Sequence, residues 1–85
     1  MKLDIKAEEL IAIGASLAAN CGPCLKYHTR KARENGASNE EITRAIEVGK
    51  RVRTGAASNV DRFASSLIEE APSNSSAASE ECGCK

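Results

Sequence analysis

An all-α fold is the class this sequence predicts, and three observations predict it. Ala is the commonest residue, fourteen of 85, while Phe and Tyr occur once each and Trp is absent. Such a chain favours helices and lacks the β-branched and aromatic material of a barrel or sandwich. Apolar residues recur at three- and four-residue spacing in three stretches, and helix punctuation separates them at Gly22-Pro23 and Gly36. The core is expected to be thin. Leu, Ile, Val and Phe number fifteen in a 9.0 kDa chain, and domains of this size usually need a staple, a metal or a partner subunit.

The first helix is predicted over residues 6–20. Asp4 is placed to cap it, Glu8 and Glu9 suit its first turn, and Leu10, Ile13 and Leu17 mark its apolar face. The second is predicted over residues 23–35, opening on Pro23, where a missing N–H costs nothing, and stopping at Gly36. Ser38 and Glu41 have the spacing of a capping box and open the third. Its stripe of Ile42, Ala45, Ile46, Gly49, Val52, Ala56, Val60, Phe63, Ala64 and Leu67 outruns the first two helices. Part of it is expected to pack on another subunit. Thr54-Gly55 is a place for a kink. Residues 1–71 thus read as one helical domain, and residues 72–85 as a flexible Ser- and Ala-rich tail ending in Cys82-Gly83-Cys84-Lys85.

Formal charge is zero, with 12 basic and 12 acidic residues, so a general nucleic-acid binder is not expected. Residues 26–62 nevertheless carry a net +4 and residues 69–85 a net −3. Lys26, Arg30, Lys31 and Arg33 wrap around their helix, which reads as a solvated surface. The longest charge-free run, residues 10–25, is too short and too polar to span a membrane. The first residues show no secretory pattern, so a cytoplasmic, reducing location is expected, and the acceptor motif Asn74-Ser75-Ser76 goes unused. In such a compartment cysteines are more often catalytic or metal-binding than structural.

Cys21-Gly22-Pro23-Cys24 is the most informative tetrapeptide. Two thiols so spaced at a helix start can close a disulfide within one turn, and the helix dipole there favours a thiolate. His28 follows Cys24 by four residues and shares its helical face. A base beside a thiol is the arrangement that activates a nucleophile, so Cys24 is expected to attack and Cys21 to resolve. A second reading joins Cys21 and Cys24 to Cys82 and Cys84 in a structural metal site, with His28 able to replace one thiolate. The tail pair can also be read as a shuttle dithiol. Tyr27 is expected to pack. No strand pattern precedes Cys21 and no Trp flanks it, which excludes a thioredoxin fold.

Glu9, eleven residues, then Cys21-x-x-Cys24-x-x-x-His28, followed by Ala32, Gly36 and a Ser-x-x-Glu helix start, resembles the alkylhydroperoxidase D branch of the carboxymuconolactone decarboxylase-like family. The likeness covers roughly residues 5–55. It implies an all-helical chain assembling as homotrimers or homohexamers, without cofactor. It implies thiol redox chemistry, in which one cysteine attacks a hydroperoxide, the other closes a disulfide, and an unknown thiol or dithiol donor restores the pair. His28 with Glu9 would form a proton relay to Cys21 and Cys24. The lactone-decarboxylating relatives are similar in fold but do not generally depend on this pair. Gly-Pro between the cysteines instead resembles the thioredoxin site, which favours a protein disulfide as substrate. Counting helical rise from the turn puts Glu9 about 16 Å and His28 about 8 Å away. Contact between them would then need a tilted crossing, a bridging water or the Glu9 of a neighbouring subunit.

Overall fold

The computed structural model describes residues 2–70. They form three helices in the order α1 (Ile5–Ala18), α2 (Gly22–Glu34) and α3 (Asn39–Glu70), and no strand occurs among the described residues. The predicted tail, with Cys82 and Cys84, lies outside them. The chain divides into two compact units, Met1–Gly55 and a second that begins at Ala56.

Each helix of the first unit starts and stops for a local reason. The Asp4 carboxylate accepts the Ala7 N–H at 2.8 Å, the cap expected for α1. The helix ends two residues earlier than predicted because Asn20 adopts the left-handed conformation, φ +57°. Its N–H returns to the Leu17 carbonyl and the Cys21 N–H to that of Ser16, a Schellman closure. The end of α2 repeats this geometry at Gly36, φ +94°, where the Gly36 N–H bonds Arg33 and the Ala37 N–H bonds Ala32. Ser38 and Glu41 close the reciprocal box ahead of α3: the Glu41 N–H reaches Ser38 Oγ at 3.0 Å, and the Ser38 N–H reaches Glu41 Oε1 at 2.9 Å.

All three helices contribute to the core, which is small. Ile13 and Ala32 are sealed from solvent and Ile42 nearly so, with Leu10, Leu25, Ala37, Ala45 and Ile46 packed around them. Gly14 and Gly49 meet backbone to backbone. A Cβ on Gly49 would fall 2.7 Å from both the Gly14 carbonyl oxygen and Leu17 Cβ, so only glycine permits α1 and α3 to approach this closely. Lys6 bridges the same pair of helices through Glu41 at 3.1 Å.

α3 runs as helix without interruption through Thr54 and Gly55, where a kink was expected, and its remaining residues make up the described part of the second unit. Val60, Phe63, Leu67 and Ile68 lie at least half exposed there, Phe63 at 65%. Within the first unit the apolar stripe read from the sequence meets the core through Ile42, Ala45 and Ile46. Arg62 spans the polar side, donating to Ser58 Oγ and Asn59 Oδ1.

Candidate functional site

The site is built where α1 hands the chain to α2. Cys21 is the N-cap of α2, with extended backbone, and its Sγ accepts the Cys24 N–H at 3.2 Å. The sequence pointed to Pro23 as the opening of this helix and left the capping role of the sulfur unread. Gly22 and Pro23 fill the first turn, where the proline forfeits no helical hydrogen bond. Cys21 and Cys24 are joined as a disulfide, their Cα atoms 5.3 Å apart. Cys21 is half-buried and Cys24 exposed.

His28 sits one turn beyond Cys24 on α2, as the spacing requires. Its Nδ1 is 2.6 Å from Glu9 Oε1 of the same chain. The side chains are partly shielded, 30% and 18% exposed. This corrects the height mismatch expected from helical rise. The Schellman closure bonds Cys21 back to Ser16 and so sets these two residues level. From Ser16 back to Glu9 and from Cys21 on to His28 are each seven residues, about 10.5 Å of rise. Equal rise brings the carboxylate and the imidazole together directly, with neither a water nor a second subunit required. A carboxylate only accepts, so Nδ1 carries the shared proton and Nε2 is the ring nitrogen left to take another.

Tyr27 does not pack into the core as expected. It is 47% exposed, edge-on to the His28 ring at 5.0 Å and beneath the Arg30 guanidinium at 5.3 Å. Its ring covers one side of the imidazole instead. Arg30 and Arg33 are solvated as read from the sequence, with Lys31 half-buried and paired to Glu34.

The sequence missed the residues on the other side of Cys21. A cavity of about 240 Å³ opens there, and Arg53 reaches it from α3, donating to Asn20 Oδ1 at 3.4 Å. Asn is the residue besides glycine that tolerates the left-handed region, and that was the available signal for the turn at Asn20. Among the described residues no cluster of three or more His, Cys, Asp or Glu side chains is arranged to hold a metal ion. No helix among them is long and apolar enough to cross a membrane.

A small helical domain with a C-x-x-C disulfide capping one helix, and a His–Glu pair one turn along it, defines the class. Residues 1–64 match the carboxymuconolactone decarboxylase family, and the chain belongs to it. A curated relative, "Uncharacterized protein 4 in cox locus" of Paracoccus denitrificans, is 40% identical over 55 residues, which cover 65% of this chain and 50% of that protein. The chain thus spans about half the length of the relative it matches. No solved structure matches.

Proposed function

We infer that the protein is a thiol oxidoreductase that cycles Cys21 and Cys24 between dithiol and disulfide. The observation that carries this is the Glu9–His28 hydrogen bond, one helical turn from a paired C-x-x-C. Cys24 is the attacking thiol: it is exposed, and His28 lies at i+4 from it. His28 Nε2 takes the thiol proton while Glu9 holds the ring's orientation and balances the imidazolium. With a hydroperoxide, the Cys24 thiolate attacks the distal oxygen. An S–O bond forms, the O–O bond breaks, and the alkoxide leaves with the proton from His28. Cys21 then attacks the sulfenic sulfur, water leaves and the disulfide closes. With a protein disulfide as oxidant, the same two attacks release two thiols instead.

Residue-resolved alkylation of the reduced full chain across pH tests this. The expected result is that Cys24 alkylates well below the pH of a free thiol, whose pKa is about 8.5, and that His28→Ala raises it. Turnover of tert-butyl hydroperoxide against insulin disulfides then separates the two substrates. If both thiols titrate as free thiols in the parent and in His28→Ala, the reading fails.

The working form is a homo-oligomer. A groove of about 600 Å³ in the first unit is lined by Leu10, Ile11, Gly14, Ala15, Val48 and Val52. Its occupant is the Val60, Phe63 and Leu67 stripe of a second copy, a second large apolar surface among the described residues. Such a contact joins two different patches, and where its rotation closes it makes a ring, in keeping with a trimer or a pair of trimers.

A further inference from the structure

The cavity beside Cys21 has no part in the chemistry above. Its walls come from Ser16, Leu17, Asn20, Cys21, Leu25 and Arg53. Cys21 is on this wall, whereas Cys24, His28 and Glu9 are not. Arg53 is the one charged residue among those lining it. Its hydrogen bond to Asn20 is long and uses a neutral acceptor, and it makes no ion pair among the described residues. The Ser16 hydroxyl is committed to the Ala12 carbonyl at 2.8 Å. The cavity therefore joins a guanidinium with free N–H donors, apolar walls from Leu17 and Leu25, and one half of the redox pair. A guanidinium fork matches a carboxylate with two parallel hydrogen bonds. The volume is below the roughly 300–1,000 Å³ of pockets for drug-sized ligands, so it suits a molecule of a few heavy atoms and not a protein segment.

We propose that this cavity admits the reductant, a small thiol bearing a carboxylate that Arg53 holds with its sulfur against Cys21. The proposal rests on the dithiol cycle above and assigns its returning half. The donor thiolate attacks Cys21 Sγ, a new S–S bond forms, and the Cys21–Cys24 bond breaks. The electron pair leaves on Cys24, the thiolate that the next oxidant meets. A second donor thiolate attacks the donor sulfur of the mixed disulfide, which departs as a small disulfide. Cys21 is left as a thiolate at the helix cap and takes a proton from water. Two donor thiols are oxidised and one protein disulfide is reduced. Oxidant and reductant approach different sulfurs from different sides.

The test uses the oxidised full chain and three small thiols: mercaptoacetate, 2-mercaptoethanol and cysteamine. Rates of Cys21–Cys24 reduction are read by alkylation and mass spectrometry. Each is corrected for the thiol's ionised fraction and divided by its rate on 2-hydroxyethyl disulfide. At low salt mercaptoacetate is expected to lead 2-mercaptoethanol by about tenfold, the low end of what a charged cleft supplies, with cysteamine last. High salt shrinks the lead, Arg53→Gln removes it, and Arg53→Lys keeps part of it. Quenching early with iodoacetamide is expected to leave the donor on Cys21 and the label on Cys24. A flat order in the parent chain, a lead unchanged in Arg53→Gln, or a donor adduct on Cys24 overturns the proposal. The parent's salt series decides the matter even if Arg53→Gln does not fold. If all three thiols leave the bond intact, the dithiol cycle itself falls with it. A bond reduced without charge preference removes only the cavity's role.

Discussion

In the proposed mechanism the hydrogen bond between Glu9 and His28 sets the orientation of the base. Removing the carboxylate leaves His28 in place but frees its ring to rotate and to carry its proton on either nitrogen. A hydrogen bond to a charged partner is worth about 1.5 kcal/mol or more, roughly tenfold in rate. Glu9→Ala is therefore expected to slow oxidation of the dithiol about tenfold, measured by stopped-flow with excess hydroperoxide. His28→Ala, which removes the base itself, is expected to slow it about a hundredfold. Equal rates in the parent and Glu9→Ala would assign the pair a purely structural role. The helical repeat placed Cys24 and His28 on one face from the sequence alone, whereas Glu9 was singled out only by the family resemblance. The direct contact of Glu9 with His28 was not legible. It depends on the Cys21 to Ser16 hydrogen bond, which depends in turn on Asn20 taking a backbone conformation open to few residues. Counting rise from the middle of a turn cannot supply that register.

At the scale of the element, helix ends were read more reliably than helix contacts. The capping box at Ser38 and the stop at Gly36 stand where residue type demands. The Glu41 carboxyl is held below its ordinary value, first by the Ser38 N–H and then by the Lys6 ammonium on α1. A carboxyl with a depressed folded pKa lends stability above its unfolded value, and that stability is lost as pH falls through the folded one. Acid titration of helicity is thus expected to show α3 loosening below about pH 4.5. Glu41→Gln should flatten that part of the profile, and an unaltered profile would count against the link. The contact between Gly14 and Gly49 could not be read, because a glycine in a helical stripe looks like a gap and not like a surface. Gly49→Ala is expected to cost about 1–3 kcal/mol in urea unfolding, the usual cost of overpacking. Its new methyl would meet the Gly14 backbone, which cannot step aside.

At the scale of the molecule, composition forecast a thin core, and among the described residues four apolar side chains are buried, Ile13, Leu17, Ala32 and Ile42. The large apolar residues were present in the sequence, but which of them stay in water was not. Periodicity gives the face of a helix and says nothing of how far its neighbours extend. Replacing Phe63 and Leu67 together with Ser is expected to shift the protein from oligomer to monomer in sedimentation velocity, with helicity falling as well. An unchanged sedimentation coefficient would show that the α3 stripe is not the contact. Ile13, Leu17, Ala32 and Ile42 are a small set against the entropy of ordering some seventy residues, at about 1 kcal/mol or more for each backbone unit. In the homo-oligomer proposed above, burial of the exposed Val60, Phe63 and Leu67 between copies would supply part of the folding free energy. The melting temperature of such an assembly would be a function of protein concentration, and dilution would act on it as urea acts on others.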